Sequence, residues 1–247
     1  MKISHPETLK PRKTPTQARS AATVDAIFEA TIQVLLAEGG HRLTTTRVAE
    51  RAGVSVGTVY QYFPHKQALL YALVHQHLTE FVDAFEAACL KHRNESIAAM
   101  TEGMVNAFLD IKIRDPDATC ALYKIASELD TNELRFGTAK GLQHACIALL
   151  SSATDARFDD LPDIAFTLLT AMNGTTRAVF EFGAQPRMVQ VLRIQLLALC
   201  RGYLQISARS HDSAPPARCK NVPVLAEMFD RTLSHVEFDA VEPTFQK

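Results

Sequence analysis

The run "RLTTTRVAERAGVSVGTVYQYFPHKQALL", from Arg42 to Leu70, constrains the fold more than any other part of this chain. It holds two segments, each too short to be a stable helix alone, separated by a glycine and opened by hydroxyl residues. Threonines 44–46 stand where a side-chain oxygen accepts the free N–H groups of a first turn, capping a helix that runs through Ala52. Gly53 follows, where a sharp turn needs positive φ. Ser55 caps a second short helix over about 55–63, and Pro64 ends it. Two helices crossing at such a turn need small residues at the contact. Ala49 and Ala52 supply them, and Val48, Val54 and Val59 form the apolar seam. The pattern predicts a helix-turn-helix. Its second helix then presents Val56, Gly57, Thr58, Tyr60, Gln61 and Tyr62 outward or at its ends. Hydroxyls, an amide and aromatics on one face suit base edges and phosphate oxygens. Lys66 stands where the next helix begins, so its charge and that helix's free N–H groups can meet one phosphate.

The preceding segment reads as a helix from about Ala18, with Val24, Ile27, Phe28, Thr31, Leu35 and Leu36 at spacings of three and four and Gly39-Gly40 as the stop. After Pro64 a long helix starts near His65 and carries Leu70, Val74, Leu78, Phe81 and Phe85 along one stripe to about Lys91. Further helices are predicted at about 96–114, 117–129, 132–153, 160–183 and 187–207. Asp115-Pro116 marks one start, a cap followed by proline at the first helical position. No alternating β-branched run suggests a sheet. The prediction is an all-α chain: a basic arm over 1–17, a three-helix head over 18–64, and a larger helical bundle over 65–207 entered by a connecting helix at 65–92. The extension over 208–247 is expected to be partly disordered, with one short helix at 224–235.

The formal net charge of −1 over 247 residues argues weakly against a nucleic-acid partner until the chain is divided. Residues 1–70 hold nine Lys and Arg against five Asp and Glu, and the remainder seventeen against twenty-two. A basic module joined to an acidic one gives this asymmetry. The five cysteines, Cys89, Cys120, Cys146, Cys200 and Cys219, are widely spaced and form no CxxC pair or zinc-like Cys/His set. They read as reduced, buried thiols, with redox sensing by one of them as the other reading. No apolar run approaches the ~20 residues that span a bilayer, and the start lacks a secretory signal's apolar core. A cytoplasmic protein is expected, with no membrane partner, cofactor or metal.

At this point the residues carry a family resemblance. "TTTRVAERAGVSVGTVYQYFPHKQALL", with "TVDAIFEATIQVLLAEGG" before it, resembles the DNA-binding domain of the tetracycline-repressor (TetR) family over about residues 18–75. The resemblance implies a homodimer in which each subunit places one recognition helix in a major groove of a palindromic operator. By the same resemblance, Thr45 matches a helix-start phosphate contact and Thr46 a position that touches a base. Val56, Gly57 and Thr58 lie at the start of the recognition helix. Tyr60 and Gln61 fall on base- or backbone-reading positions, Tyr62 on a phosphate position and Lys66 on the phosphate-binding lysine. Gln61 is the best base reader, since a carboxamide pairs bidentately with adenine. Other readings stand beside these: Tyr60 and Tyr62 as packing between helices, Ser55 as a cap, and Arg47 and Arg51 as solvated charges, with Arg47 also in reach of the DNA backbone. Lys10, Arg12, Lys13 and Arg19 form either a solvated arm or an added minor-groove contact.

The resemblance also implies that the larger domain binds a small-molecule effector, and that helices at about 160–183 and 187–207 pair with their symmetry mates. Candidate pocket residues are Met104, Phe108, Tyr123, His144, Met172, Asn173, Thr176 and Arg177. Asn173, Thr176 and Arg177 share a helix face, and His144 lies in a similarly apolar sequence. Such groups, if buried, must be paired, so they orient a ligand, bridge a dimer or complete the core. Two functions follow: a ligand-responsive repressor, or an architectural or division-linked DNA-binding protein whose helical domain binds protein partners. An enzyme is the third class, and no HExxH motif, P-loop, G-x-S-x-G elbow or spaced Cys/His metal set is expected to support it.

Overall fold

The computed structural model describes residues 18–209. Among them the chain forms nine helices: α1 (Ala18–Glu38), α2 (Thr45–Ala52), α3 (Val56–Tyr62), α4 (Lys66–Lys91), α5 (Ile97–Ile113), α6 (Pro116–Glu128), α7 (Asn132–Leu150), α8 (Leu161–Glu181) and α9 (Pro186–Ser207). No strand occurs in this range; a lone antiparallel bridge joins Arg157 to Arg209. The all-α prediction holds, and each expected helix forms with its ends moved by at most a few residues. The arm residues Lys10, Arg12 and Lys13, the helix expected at 224–235 and Cys219 lie outside the described residues, as does the side chain of Arg19.

The short helices owe their ends to side chains. Thr44 is the cap of α2, its hydroxyl accepting from the Arg47 N–H at 3.3 Å. Gly53 closes that helix at φ 67°, and its N–H and that of Val54 return to the last carbonyls, Glu50 and Ala49. Ser55 caps α3 by accepting from the Thr58 N–H at 3.0 Å. His65, expected at the start of α4, is its cap: Nδ1 accepts from the Ala68 N–H at 3.1 Å. Asp115 caps α6 in the same way, with Pro116 first in the helix. Each cap contributes about 0.5–2 kcal/mol, and α2 and α3 are too short to form without them.

Two cores result. The head packs Ile27 and Phe28 of α1 with Val48, Ala49, Val59 and Phe63, the Phe28 and Phe63 rings lying 5.5 Å apart. Leu36, expected on the buried stripe, is 47% exposed, because the inward face of α1 turns through Leu35 instead. The body packs Phe85 of α4, Met100, Met104 and Phe108 of α5, Cys146 and Leu149 of α7, and Met172 and Cys200 of α8 and α9. Helices α4 and α7 approach closely at Gly141, where an added Cβ falls 2.9 Å from Val82 Cγ1. The head's core does not stop at residue 64. It takes in Leu69, Leu70, Leu73 and Val74 of α4, and also Leu122 and Ile125 of α6. Contrary to the sequence reading, one segment, Ser20–Glu38 within α1, is long and apolar enough to cross a membrane. Its apolar residues are instead used to build the head.

Candidate nucleic-acid interface

The Gly53 turn sets α3 against α2, with Val48 and Val59 fully buried between them. That leaves one side of α3 to solvent, where Gly57, Tyr60 and Gln61 are exposed. Thr46 and Arg47, on the first turn of α2, are exposed as well. Val56 and Tyr62 are half-buried and pack against the head's core, Tyr62 with its ring 6.2 Å from that of Phe63. Gly57 meets only Ser55 Oγ at an ordinary 3.6 Å if a Cβ is added. Among the described residues no neighbour demands a glycine there, and the position is open to solvent.

Several of the expected contact residues already have partners. Thr45 is buried, and its hydroxyl donates to Tyr60 Oη at 3.1 Å. It therefore does not stand free at the surface; it fixes Tyr60, whose own O–H remains able to donate outward. Thr58 shares a 2.8 Å hydrogen bond with Ser55 through their hydroxyls. The guanidinium of Arg47 is ion-paired with Glu38, and Arg51 Nε donates to Gln33 Oε1 at 2.7 Å. Neither arginine is merely a solvated charge. Lys66 Nζ donates to the Gly40 carbonyl at 2.7 Å, tying the start of α4 to the turn after α1. An ammonium has three donors, so two remain. Contrary to the sequence reading, Gly53, Ser55 and Gly57 do spell G-x-S-x-G, the spacing of a hydrolase nucleophile elbow. The context is wrong for that chemistry, which needs a strand before the turn, and Ser55 Oγ is committed to capping.

In the body, the candidate pocket residues divide. Met104, Phe108 and Met172 are fully buried members of one core. Tyr123 is half-buried, its ring 6.2 Å from that of Phe180. Thr176 is fully buried, and its Oγ1 has no hydrogen-bond partner. His144 and Asn173 are exposed, and Arg177 lies near the surface with Nε donating to Glu181 at 2.6 Å. Of the three residues on that helix face, only Thr176 is buried in the single chain. The buried line of α8 runs through Met172, Thr176 and Phe180, which puts the other two on its flanks. On α7, His144 likewise lies beside the buried line of Leu142, Cys146 and Leu149.

The structure adds two residues that the sequence reading missed. Lys112 is 4% exposed, with Nζ lying 3.9 Å from the centre of the Phe81 ring and donating to Tyr123 Oη at 3.3 Å. Burial lowers its pKa to about 8, so it stays mostly charged at neutral pH. Burial, with Lys112 and Arg114 nearby, lowers His77 to about 4 and leaves that ring neutral. A signal was there: Met104, Phe108 and Lys112 recur at every fourth position, putting a cation on an apolar stripe. The cysteines go the other way. Burial pushes the Cys89 and Cys200 thiols up to about 12 and Cys146 higher still, which opposes thiolate formation and redox sensing by these three.

Comparison with known proteins agrees with this architecture. Residues 27–73 match the domain described as bacterial regulatory proteins, tetR family, and residues 96–204 match a tetracyclin repressor-like C-terminal domain. A nucleoid occlusion factor SlmA from Haemophilus ducreyi is 30% identical over 118 residues, spanning 46% of this chain and 56% of that protein. The factor of the same name from Actinobacillus pleuropneumoniae is 28% identical over 158 residues, 60% of this chain and 76% of the relative. A solved TetR-family regulator from Mesorhizobium loti superposes with a TM-score of 0.63 over 78% of this chain and 100% of its own, at 15% identity, a likeness of fold.

Proposed function

Since the chain belongs to the tetR family of bacterial regulatory proteins and is a DNA-binding regulator, we propose that it acts as a homodimeric repressor, released from a palindromic operator by a small-molecule effector. One observation carries the reading: α3, held at its start by Ser55 and at its turn by Gly53, leaves Gly57, Tyr60 and Gln61 exposed together on a rigid head. In this reading α3 enters the major groove, Gln61 reads a base edge, and Thr46, Tyr60 and Tyr62 meet the backbone around it. Lys66 uses a donor not taken by Gly40 to hold a phosphate at the start of α4. Arg47 joins them only by exchanging Glu38 for a phosphate.

The dimer is assigned to α8 and α9. Val191, Ile194 and Leu199 are exposed on α9, and Thr170, Gly174 and Ala178 make an exposed line of small residues along α8. An isologous four-helix contact covers both faces and sets the spacing of the two heads, which must read half-sites ~34–36 Å apart. An effector that fits one spacing better than the other shifts DNA affinity by that difference. The place of action is the cytoplasm, where the operator is. Footprinting on the upstream region of its own gene, with sedimentation of the free protein, tests the reading. One short palindrome and a dimer are expected; a monomer that binds random duplex as tightly as any site sinks it.

The names of the Haemophilus and Actinobacillus relatives favour a second reading, a division-linked DNA-binding protein whose body binds protein partners. Many dispersed chromosomal sites, in place of a few promoter sites, decide for it.

A further inference from the structure

Lys112 is a cation taken out of water without an anion to meet it. Among the described residues no carboxylate forms an ion pair with it; its partners are the rings of Phe81, Phe108 and Tyr123, at 3.9, 5.2 and 5.5 Å, and the Tyr123 hydroxyl. Glu181, which acts on Tyr123, is paired with Arg177, and Asp110 of the same helix as Lys112 is paired with Arg193. Aromatic faces offset only part of the desolvation of an ammonium. Thr176 Oγ1 is, among the described residues, the one buried side-chain oxygen or nitrogen without a hydrogen bond. It lies one turn from Met172, which shares a core with Phe108, and one turn from Phe180, whose ring packs on Tyr123. An ammonium bonded to a phenol is thus contributed by α5 and α6, and α8 contributes an unpartnered hydroxyl one turn before the ring that packs on that phenol.

Together they offer hydrogen-bond donors, and the phenol has already accepted from Lys112, so its proton is directed elsewhere. We propose that the body binds an organic carboxylate with an apolar tail, its headgroup held by Lys112 Nζ, Tyr123 Oη and Thr176 Oγ1 and its tail by the aromatic side chains beside them. One cation in apolar surroundings suits a monoanion; a phosphate dianion would bring a second charge with nothing to balance it. Position gives the site a way to act. Tyr123 is on α6 between Leu122 and Ile125, both buried in the head's core, so a ligand that draws on Tyr123 also moves what the head rests on.

This inference rests on the proposed effector control, and the test separates the two. Full-length protein without DNA is titrated at neutral pH with octanoate, decanoate and 4-phenylbutyrate, each beside its primary amide, by thermal shift and calorimetry. At least one acid is expected to bind about tenfold or more tightly than its amide. In Lys112→Met that preference is lost, and in Tyr123→Phe it is reduced. No acid surpassing its amide in the wild-type chain overturns the proposal, whether or not the variants fold. So does a preference that survives Lys112→Met, or tighter binding of inorganic phosphate. Operator binding is then followed with the same pairs. Acids that bind but leave DNA affinity unchanged uphold the site and remove effector control. Release by neutral compounds alone does the reverse.

Discussion

Head and body dispose of their polar groups in opposite ways. In the head, Thr44, Ser55 and His65 close helix ends, Thr45 anchors Tyr60, and Gln61 stands in water. Nearly every such group is local, cheap to satisfy and fixed in place. In the body, Lys112 and Thr176 are sealed among apolar side chains, one with three rings around it, a phenol among them, and the other with no hydrogen-bond partner. A surface that must match a rigid duplex gains from fixed geometry. A domain that must change state on binding gains from a buried group that is poorly satisfied until the ligand arrives.

The largest effect should come from opening the body's core. Phe108→Ala removes a fully buried ring against which Phe81 stacks edge-on at 5.1 Å, and should cost about 3–5 kcal/mol in urea unfolding. Next comes pH. Folding lowers the Lys112 pKa from 10.5 to about 8, so between those values the unfolded chain holds a proton that the folded chain lacks. Stability therefore rises with pH across that window, by an amount on the order of a few kcal/mol. The raised thiols and phenols oppose this in the same alkaline range, so the readout is the difference between wild type and Lys112→Met, which should lose the rise. His77 gives the acid counterpart: with its folded pKa near 4 against 6.5 unfolded, stability falls as pH drops through that interval.

The head should respond in affinity more than in stability. Gln61→Ala is expected to weaken operator binding by about 1–3 kcal/mol and relax preference at one base position, with stability within ~0.5 kcal/mol of wild type. Ser55→Ala should destabilise the protein by about 1 kcal/mol through loss of the α3 cap, measured by thermal unfolding. Smallest in energy is Lys66→Ala, which should weaken binding to all duplexes alike and flatten the salt slope by about 1. If only stability changes, Lys66 serves Gly40 alone and the docking reading loses its phosphate anchor.

What could be read from the sequence divides along the same line. Caps and turns are written within three or four residues, so Gly53, Ser55, Pro64 and Asp115 announced their helices directly. Which way a long helix faces is set by its neighbours, and there the reading slipped. Leu36 fell off the buried line of α1, and the direction of His144 and Asn173, beside the buried lines of α7 and α8, could not be read from spacing alone. Lys112 was passed over because a lysine on an apolar stripe ordinarily extends its amine to water. Only the packing of Phe81 and Tyr123 around its amine shows that it does not. Arg47 and Thr45 stood in the right region, but their partners, Glu38 and Tyr60, come from other helices and no local pattern names them.

The division into head and body ends at α6. Leu122 and Ile125 belong to the head's core, while Tyr123 between them packs on the body's small cluster of Phe180, Ala184 and Val189. A helix that completes two cores cannot leave one without exposing the other. The described chain should therefore melt as a single cooperative unit, with one calorimetric transition whose van't Hoff and measured enthalpies agree. A regulator built this way has no half-unfolded form in which the DNA-reading end survives after the sensing end is lost.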